Sequence, residues 1–329
     1  MDILPKNTLI LPPTDGNLIP HDPAIPILFA AAGQRATYRF IEFFTAHIHN
    51  PNTRAAYFRA VQRFSRWCEG HNLELHQVNS VLVAKYIQEL GEAVAAPTVK
   101  QHLSAIRMLF DYLVTGQVVA INPAHAVRGP KHVVKTGKTP VLSTEQTRAL
   151  LDSIDIGKIA GLRDRALIGV MVFSFARVSA VVGMNVEDYF AKGKRFWFRL
   201  HEKGGKYHEV PAHHNAEAYV DAYLEAAGIG EESKAPLFRA LDSRRRLTER
   251  RMKREVVFRM VRRRARHAGL AENISCHTFR ATGITAYLDN GGTIENAQRI
   301  AAHESPRTTK LYDRTGDEIS LDEIERILI

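Results

Sequence analysis

The chain of 329 residues is long enough for two domains of ordinary size, and its 45% hydrophobic and 24% charged residues exclude wholesale disorder. Two cysteines, Cys68 and Cys276, exclude a disulfide framework or a four-cysteine zinc site, and no apolar run reaches the roughly 18 to 20 residues that cross a bilayer. The formal net charge of +10 indicates a polyanionic partner, and the start carries no export signal, which predicts a cytoplasmic protein.

The first part of the chain predicts an arm followed by a small helical domain. Six of the fourteen prolines lie before residue 27, so residues 1–34 are expected to form an extended arm. Apolar residues then recur every three or four positions in four segments, which makes residues 35–127 a predicted four-helix domain. Residues 128–140 contain Gly, Pro and Lys without apolar periodicity, which predicts a linker.

A second domain is expected over residues 141–315. The run from Arg163 to Val182 is apolar nearly all round, which predicts a central buried helix that carries Arg177. Between Lys194 and Val210, aromatic and β-branched residues alternate around Gly204-Gly205, which predicts a β-hairpin with a tight turn. Helical patterns fill most of the remainder. The predicted fold class is therefore mainly α, with a mixed second domain that holds a small antiparallel β-sheet.

The excess positive charge lies in one segment, from Arg239 to Arg266. This segment has thirteen basic and three acidic residues, and twelve of the thirteen are Arg, whose planar fork matches phosphate oxygens. Apolar residues at helical spacing, from Val256 to Val261, predict a helix that turns its arginines outward to phosphates; a merely solvated face is the alternative. The arginines expected to contact phosphate are Arg244, Arg245, Arg246, Arg250, Arg251, Arg254, Arg262 and Arg263.

Six polar residues stand out by their order and spacing. They are Arg177, Lys203, His277, Arg280, His303 and Tyr312. The stretches around them read Ala-Arg-Val-Ser, Glu-Lys-Gly-Gly-Lys, His-Thr-Phe-Arg and Ala-His-Glu-Ser, and the last stretch is followed by the tyrosine. Successive intervals of 3, 23 and 9 positions separate the last four of the six residues. In order and spacing, the set resembles the tyrosine recombinase, or phage integrase, family.

Elementary chemistry supports these residues as a site that cleaves phosphodiesters. Cleavage needs a nucleophile, neutralisation of the two non-bridging oxygens and a proton for the departing 5′ oxygen. Tyr312 is the expected nucleophile, and its ordinary pKa of about 10 requires cationic surroundings. Arg177 and Arg280 are expected to bind the phosphate with paired hydrogen bonds, one from each side, and His303 is expected to donate a hydrogen bond to a non-bridging oxygen. His277, with an ordinary pKa near 6.5, suits acid–base support.

The resemblance implies the rest of the reaction. It makes Lys203 the general acid, in preference to Lys206 beside the same turn, because the family has a Lys-Gly pattern. The implied protein is a two-domain clamp on double-stranded DNA that assembles as a synaptic tetramer in the cytoplasm, at the nucleoid. The implied activity is site-specific recombination (integration, excision or resolution) through a 3′-phosphotyrosine, without metal, ATP or cofactor. Residues 316–329 carry an apolar stripe and are expected to form a helix that docks in a neighbouring protomer or, alternatively, on its own domain.

Three positions depart from the family pattern. The usual acid three residues after the first arginine is Ala180, which either lowers activity or requires a substitute such as Glu187 or Asp188. The other two, Phe279 and Ala301-Ala302, are expected to be packing changes. Ala180 leaves open a non-catalytic or partner-activated DNA-binding homologue. The shared phosphotyrosine chemistry leaves open a type IB topoisomerase-like enzyme that relaxes DNA as a monomer.

Metal and thiol chemistry are not expected. Four histidines near the hairpin lie on mixed faces of a predicted strand and no cysteine joins them, which argues against zinc. They are His201, His208, His213 and His214. Cys276 beside His277 is expected to be a small buried residue and not a nucleophile.

Overall fold

The computed structural model describes residues 25–132, 137–202, 207–271 and 273–313. The chain divides into two compact units, with the boundary between residues 133 and 134. Within the described ranges, strands occur in the second unit only, and both units consist mainly of helices. The predicted fold class is therefore confirmed. None of the helices in these ranges is long and apolar enough to span a bilayer.

The first unit is a helical bundle around an aromatic core. Its helices are α1 (Ile27–Ala30), α2 (Gln34–Glu42), α3 (Pro51–Gly70), α4 (Ser80–Ala93) and α5 (Ala96–Thr115), and a π-helical turn over Phe43–His47 extends α2. The side chains of Asn50 and Asn79 accept hydrogen bonds from the first free amides of α3 and α4, which explains where these two helices begin. All four predicted helices are present.

The expectation of an extended arm is wrong for its last residues. Ile27–Ala30 form a helical turn because Pro26 stands just before the helix, where its fixed φ is tolerated. Leu28 and Phe29 are buried, and the ring of Phe29 stacks on that of Phe40 with centroids 4.6 Å apart. Burial of two large apolar side chains stabilises this turn by about 3 to 6 kcal/mol in total. Residues 1–24, the rest of the predicted arm, lie outside the described residues.

The second unit combines eight described helices with two small antiparallel sheets. The helices are α6 (Thr144–Asp152), α7 (Ile159–Phe173), α8 (Val178–Gly183), α9 (His214–Ala227), α10 (Arg254–His267), α11 (Cys276–Asp289), α12 (Ile294–Ile300) and α13 (Pro306–Lys310). The strands are β1 (Tyr189–Lys192), β2 (Arg195–His201), β3 (Tyr207–Pro211), β4 (Arg239–Leu241) and β5 (Leu247–Arg251). The first sheet has the order β1-β2-β3, and β4 pairs with β5.

The predicted hairpin is the β2–β3 pair. Its register runs from Trp197 opposite Pro211 to His201 opposite Tyr207. Its turn, with Lys203 and Lys206, lies outside the described residues. The sequence did not reveal β1, which joins the other edge of β2 through a turn at Gly193, where φ is +66°. Glycine is favoured at such a positive φ.

The predicted long buried helix is wrong at its C-terminal end. α7 ends at Phe173, and Phe175 has φ +55°, a left-handed conformation that cannot continue a right-handed helix. Arg177 therefore lies in extended backbone at the N-terminus of the separate helix α8. The break coincides with a close crossing, because α11 packs its Gly283 against the end of α7.

The basic segment is helical only in its second half. Its first half is the β4–β5 hairpin, which turns at Asp242 to Arg246. The Asp242 carboxylate accepts a hydrogen bond from the backbone N–H of Arg246 at 2.9 Å, and Arg245 has φ +62°. Aspartate often closes turns in this way. The predicted helical pattern is confirmed from Arg254 onward, where Val257, Met260 and Val261 face the core.

We predict that Gly283→Ala destabilises the second unit. An added Cβ would lie 2.1 Å from the Val172 carbonyl oxygen and 2.8 Å from the Phe175 ring, so α11 and α7 would have to separate. The expected loss is about 1 to 3 kcal/mol of unfolding free energy, measured by urea denaturation. Gly183→Ala is the matched control: nothing lies within 4 Å of its added Cβ, and a change of less than about 0.5 kcal/mol is expected. Equal stabilities of the two variants would contradict the close crossing.

Candidate active site

Tyr312 and His277 meet within one chain. Tyr312 follows α13 in a turn, and its side chain is buried. Its hydroxyl lies 2.8 Å from Nε2 of His277, the second residue of α11. The hydroxyl of Thr285, two turns further along α11, donates to the Tyr312 carbonyl at 2.9 Å. The nucleophile predicted from the sequence is thus fixed in cis beside the predicted acid–base residue.

Arg280 is a buried cation whose donors the backbone satisfies only in part. It lies one turn after His277 on α11 and is 1% exposed. One terminal nitrogen donates to the carbonyl of Phe175, and the other to the carbonyl of Ala301 at 2.6 Å. Its Nε–H finds no hydrogen-bond partner in the described ranges. A desolvated guanidinium with an open donor favours an anion as its neighbour.

His303 lies against the ring of Tyr312. The two rings are nearly parallel, at 8°, with centroids 5.9 Å apart. Nδ1 of His303 hydrogen-bonds with the hydroxyl of Thr309 at 2.9 Å, so Nε2 is the nitrogen left for a substrate. The residue before it, Ala302, has φ +47°, where glycine is usual. The departure at Ala301-Ala302 is therefore conformational as well as a packing change.

Arg177 pairs with an acid that the sequence reasoning missed. The carboxylate of Glu202 accepts a hydrogen bond from Nη1 of Arg177, and the Glu202 side chain is only 7% exposed. The expected substitutes for an acid at position 180 are wrong: Glu187 is exposed, and Asp188 lies 3.2 Å from His201. An acid directly before the lysine of the predicted hairpin was the one signal in the sequence.

A cleft of about 700 Å³ opens beside these residues. Arg177, His277 and Arg280 line the cleft. The first turns of α10 also line it, with Arg254, Phe258, Arg259 and neighbouring residues. The cleft therefore joins the candidate chemistry to the segment that carries the excess positive charge. Lys203, the sixth predicted residue, lies outside the described residues.

Burial and the two arginines set the protonation states. Burial, with smaller contributions from Arg280, Arg177 and His277, lowers the pKa of His303 to about 3. Burial and the same two arginines also lower the pKa of His277, so both imidazoles are neutral at pH 7. Burial raises the pKa of Tyr312, although Arg280 and Arg177 oppose this shift. The tyrosine hydroxyl therefore stays protonated and donates a hydrogen bond to Nε2 of His277.

Family models and relatives agree on what the chain is. The model described as the phage integrase family matches residues 140–318, and that of the phage integrase N-terminal SAM-like domain matches residues 39–117. The chain belongs to the phage integrase family. The tyrosine recombinase XerC of Pelobacter propionicus is 30% identical over 84% of this chain and 88% of its own length. The tyrosine recombinase XerD of Pseudomonas aeruginosa is 27% identical over 79% and 86%. The protein is an enzyme of the tyrosine recombinase class.

Solved structures share the fold of this recombinase. The XerH site-specific recombinase bound to its difH substrate has a TM-score of 0.63 at 17% identity, covering 90% of this chain and 83% of that chain. A lambda integrase tetramer bound to a Holliday junction has a TM-score of 0.64 at 16% identity, covering 86% and 78%. The two-unit helical layout is thus a layout found in known recombinases.

One of the eight arginines predicted to contact phosphate, Arg251, is half-buried and makes internal hydrogen bonds instead of standing free on the surface. The recombinase uses Arg251 inside the fold: its Nη1 donates to the carbonyls of Val182 and Met184 at 2.7 Å each, and its Nη2 to Oδ1 of Asn185 at 2.5 Å. Burial lowers the pKa of Arg251. This guanidinium holds β5 against the loop after α8. Three of its five N–H donors are thus used inside the fold.

The other seven arginines are exposed on the recombinase surface. They are Arg244, Arg245, Arg246, Arg250, Arg254, Arg262 and Arg263. Two of them already have acidic neighbours, because Arg246 pairs with Asp242 at 2.9 Å and Arg263 reaches the buried Asp164 at 3.4 Å. Arg259, which the sequence reasoning did not select, lines the cleft beside Arg254. These positions remain predicted DNA contacts.

We predict that both active-site histidines titrate below the ordinary value of 6.5. Long-range ¹H–¹⁵N NMR of histidine-labelled recombinase is the measurement, with His277→Gln and His303→Gln to assign the signals. We expect His303 to stay neutral down to a pKa of about 3 and His277 to protonate below pH 6.5. Because the unfolded imidazoles bind protons near pH 6.5, unfolding free energy should fall as the pH drops below that value. A pKa above 6.5 at either histidine would contradict the burial argument.

Proposed function

We propose that this recombinase cuts and rejoins DNA at a specific site through a 3′-phosphotyrosine on Tyr312. The observation that carries the proposal is the 2.8 Å contact between the Tyr312 hydroxyl and Nε2 of a neutral His277, beside the buried Arg280 with its open donor. This arrangement supplies a nucleophile, a proton acceptor and a cation within one chain. Those are the groups that attack on a phosphodiester requires.

The cleavage step follows from the positions of these groups. The scissile phosphate sits between Arg177 and Arg280, and Nε2 of His303 donates to a non-bridging oxygen. As the Tyr312 oxygen bonds to phosphorus, its proton moves to Nε2 of His277 and the bond to the 5′ oxygen breaks. Lys203 donates a proton to that oxygen, which leaves as a 5′ hydroxyl. The positive charges of Arg177 and Arg280 stabilise the negative charge on the phosphate oxygens, which lowers the barrier to attack by the phenol oxygen.

Rejoining reverses the same steps. The 5′ hydroxyl of a second duplex attacks phosphorus and returns its proton to Lys203, while Tyr312 leaves and regains a proton from His277. The number of phosphodiester bonds is conserved, so neither ATP nor another cofactor is needed. His277 is thus a base in cleavage and an acid in rejoining, which suits an imidazole.

We further propose that four protomers act together on two DNA sites, in the cytoplasm at the nucleoid. The support is the known fold: lambda integrase, which shares it, forms a tetramer on a Holliday junction. Residues 316–329, which lie outside the described residues, are proposed to dock in the neighbouring protomer. Residues 128–140 are proposed to link a core-binding domain to the catalytic domain, so that the two close on duplex DNA.

The first test is a covalent-adduct assay with a nicked suicide substrate. We expect wild-type protein to form an adduct stable on a denaturing gel, without added metal, and Tyr312→Phe to form none. The substrate is nicked DNA containing a site found beside the protein's own gene. Tyr287→Phe is the matched control, because Tyr287 belongs to the same apolar cluster and its ring packs on Phe175. Its adduct yield should equal that of wild type.

Two outcomes would count against this function. DNA binding without any adduct from wild type would favour the non-catalytic homologue. An adduct followed only by relaxation of supercoils, with no exchange between two short duplexes, would favour the topoisomerase-like enzyme. Binding should weaken with salt by about 0.9 in log affinity per log salt for each phosphate contact, and a flat salt profile would exclude DNA as the substrate.

The second test assigns the general acid. We predict that Lys203→Ala slows cleavage of ordinary DNA by about 10²- to 10⁴-fold. A substrate with sulphur in place of the bridging 5′ oxygen should restore cleavage, because a thiolate leaves without a proton. Lys206→Ala is the control, since it removes the same charge from the same turn. The opposite result, with Lys206→Ala alone rescued by sulphur, would transfer the role to Lys206.

A further inference from the structure

The acid that Arg177 contacts comes from the hairpin and not from its own helix. In the family pattern that the sequence resembles, the acid stands three residues after this arginine. Here that position is Ala180, which is 1% exposed and packs in the core of the second unit. Its methyl group offers Arg177 neither charge nor hydrogen bond. Glu202, directly after β2, supplies both.

The geometry of Glu202 distinguishes it from a surface ion pair. Its side chain is 7% exposed, whereas that of Arg177 is 39% exposed. The carboxylate is therefore largely withdrawn from water, while part of the guanidinium faces the cleft. A buried carboxylate needs a cationic partner, so Glu202 restricts the positions open to Arg177. The remaining donors of Arg177 stay available for an anion in the cleft.

The hairpin is also attached to the His303 side of the site. Nε2 of His208, on β3, donates to the carbonyl of Ile300 at 2.9 Å, three residues before His303. The hairpin thus contacts the candidate active site at two places. Glu202 reaches Arg177, and His208 reaches the end of α12. Both contacts are within the second unit.

We propose that Glu202 is a positioning residue for strand cleavage, which holds Arg177 in place of the acid missing at position 180. The inference rests on the proposed function, because it assigns Arg177 to the phosphate. Glu202 does not touch the reacting atoms; it acts through Arg177. Because it directly precedes Lys203, it also ties the arginine that binds the phosphate to the backbone that carries the general acid.

The test compares Glu202→Gln and Glu202→Ala with wild type in single-turnover cleavage of the suicide substrate. We expect the rate at saturating DNA to fall by roughly 10- to 100-fold, more for Ala than for Gln, because a displaced catalytic group costs about that much. DNA affinity should change by less than about threefold, since the seven exposed arginines are untouched. Unchanged thermal unfolding of Glu202→Gln keeps a folding defect out of the interpretation.

Glu209→Gln is the matched control. Glu209 lies on β3 of the same hairpin and pairs with Lys192 and Arg199, away from Arg177. We expect its cleavage rate to match that of wild type. A loss in Glu209→Gln equal to that in Glu202→Gln would overturn the proposal, because any change of hairpin charge would then suffice.

A double-mutant cycle with Arg177→Lys separates positioning from a direct role. If Glu202 acts through Arg177, Glu202→Gln should cost little more in the Arg177→Lys background, giving strongly non-additive effects. Three results would each overturn the proposal. They are additive losses in the cycle, a wild-type cleavage rate in Glu202→Gln, and faster cleavage in Glu202→Gln, which would mean that the wild-type carboxylate competes with phosphate for Arg177. Failure of the proposed function looks different, since wild type itself would then form no adduct.

Discussion

The burial of one guanidinium organises the active site. Arg280 is almost fully withdrawn from water, and a lone buried cation costs several kcal/mol unless donors and charge are matched. Two backbone carbonyls accept its terminal nitrogens, and each lies at or next to a left-handed residue: Phe175 itself, and Ala301 before Ala302. The break after α7 and the turn before His303 therefore both direct carbonyl oxygens at Arg280. What they leave unmatched is its positive charge.

That unmatched charge adds to the effect of burial on the site before DNA arrives. Burial first, and the charges of Arg280 and Arg177 second, lower the pKa of both histidines, so Nε2 of His277 can accept a proton and His303 adds no further positive charge. Burial keeps the phenol of Tyr312 protonated despite the nearby arginines. The proposed nucleophile is consequently protonated and in hydrogen-bond contact with its proposed base. A bound phosphate anion would neutralise the remaining positive charge of Arg177 and Arg280. The charges of the site would then be balanced only when substrate is present.

The sequence predicted what local patterns and spacing determine. Apolar periodicity located the helices of the first unit, and strand alternation located the β2–β3 pair. Prediction from the sequence failed where contacts between distant residues determine the backbone. The apolar residues of α7 continue past Phe173, but Phe175 adopts a left-handed conformation where it packs against Gly283, 108 residues along the chain. A local contact was also missed: the Asp242 carboxylate accepts the backbone N–H of Arg246 and so closes the β4–β5 hairpin within an arginine-rich segment. Of the six site residues, five are described and four surround Tyr312 and the cleft as their spacing implies; their catalytic roles stay predictions.

The departure at Ala180 shows why a motif is better treated as a set of interactions than as a set of positions. An acid on α8 would belong to the same rigid helix as Arg177 and would hold it independently of the hairpin. Glu202 supplies the same negative charge from the position directly after β2, so the orientation of Arg177 depends on the position of that strand. Moving the carboxylate therefore preserves the charge pair but changes the element that carries it. With the roles proposed for Arg177 and Lys203, phosphate binding and proton donation would both depend on one hairpin. Such a connection gives a physical route by which the position of a single hairpin affects both groups together.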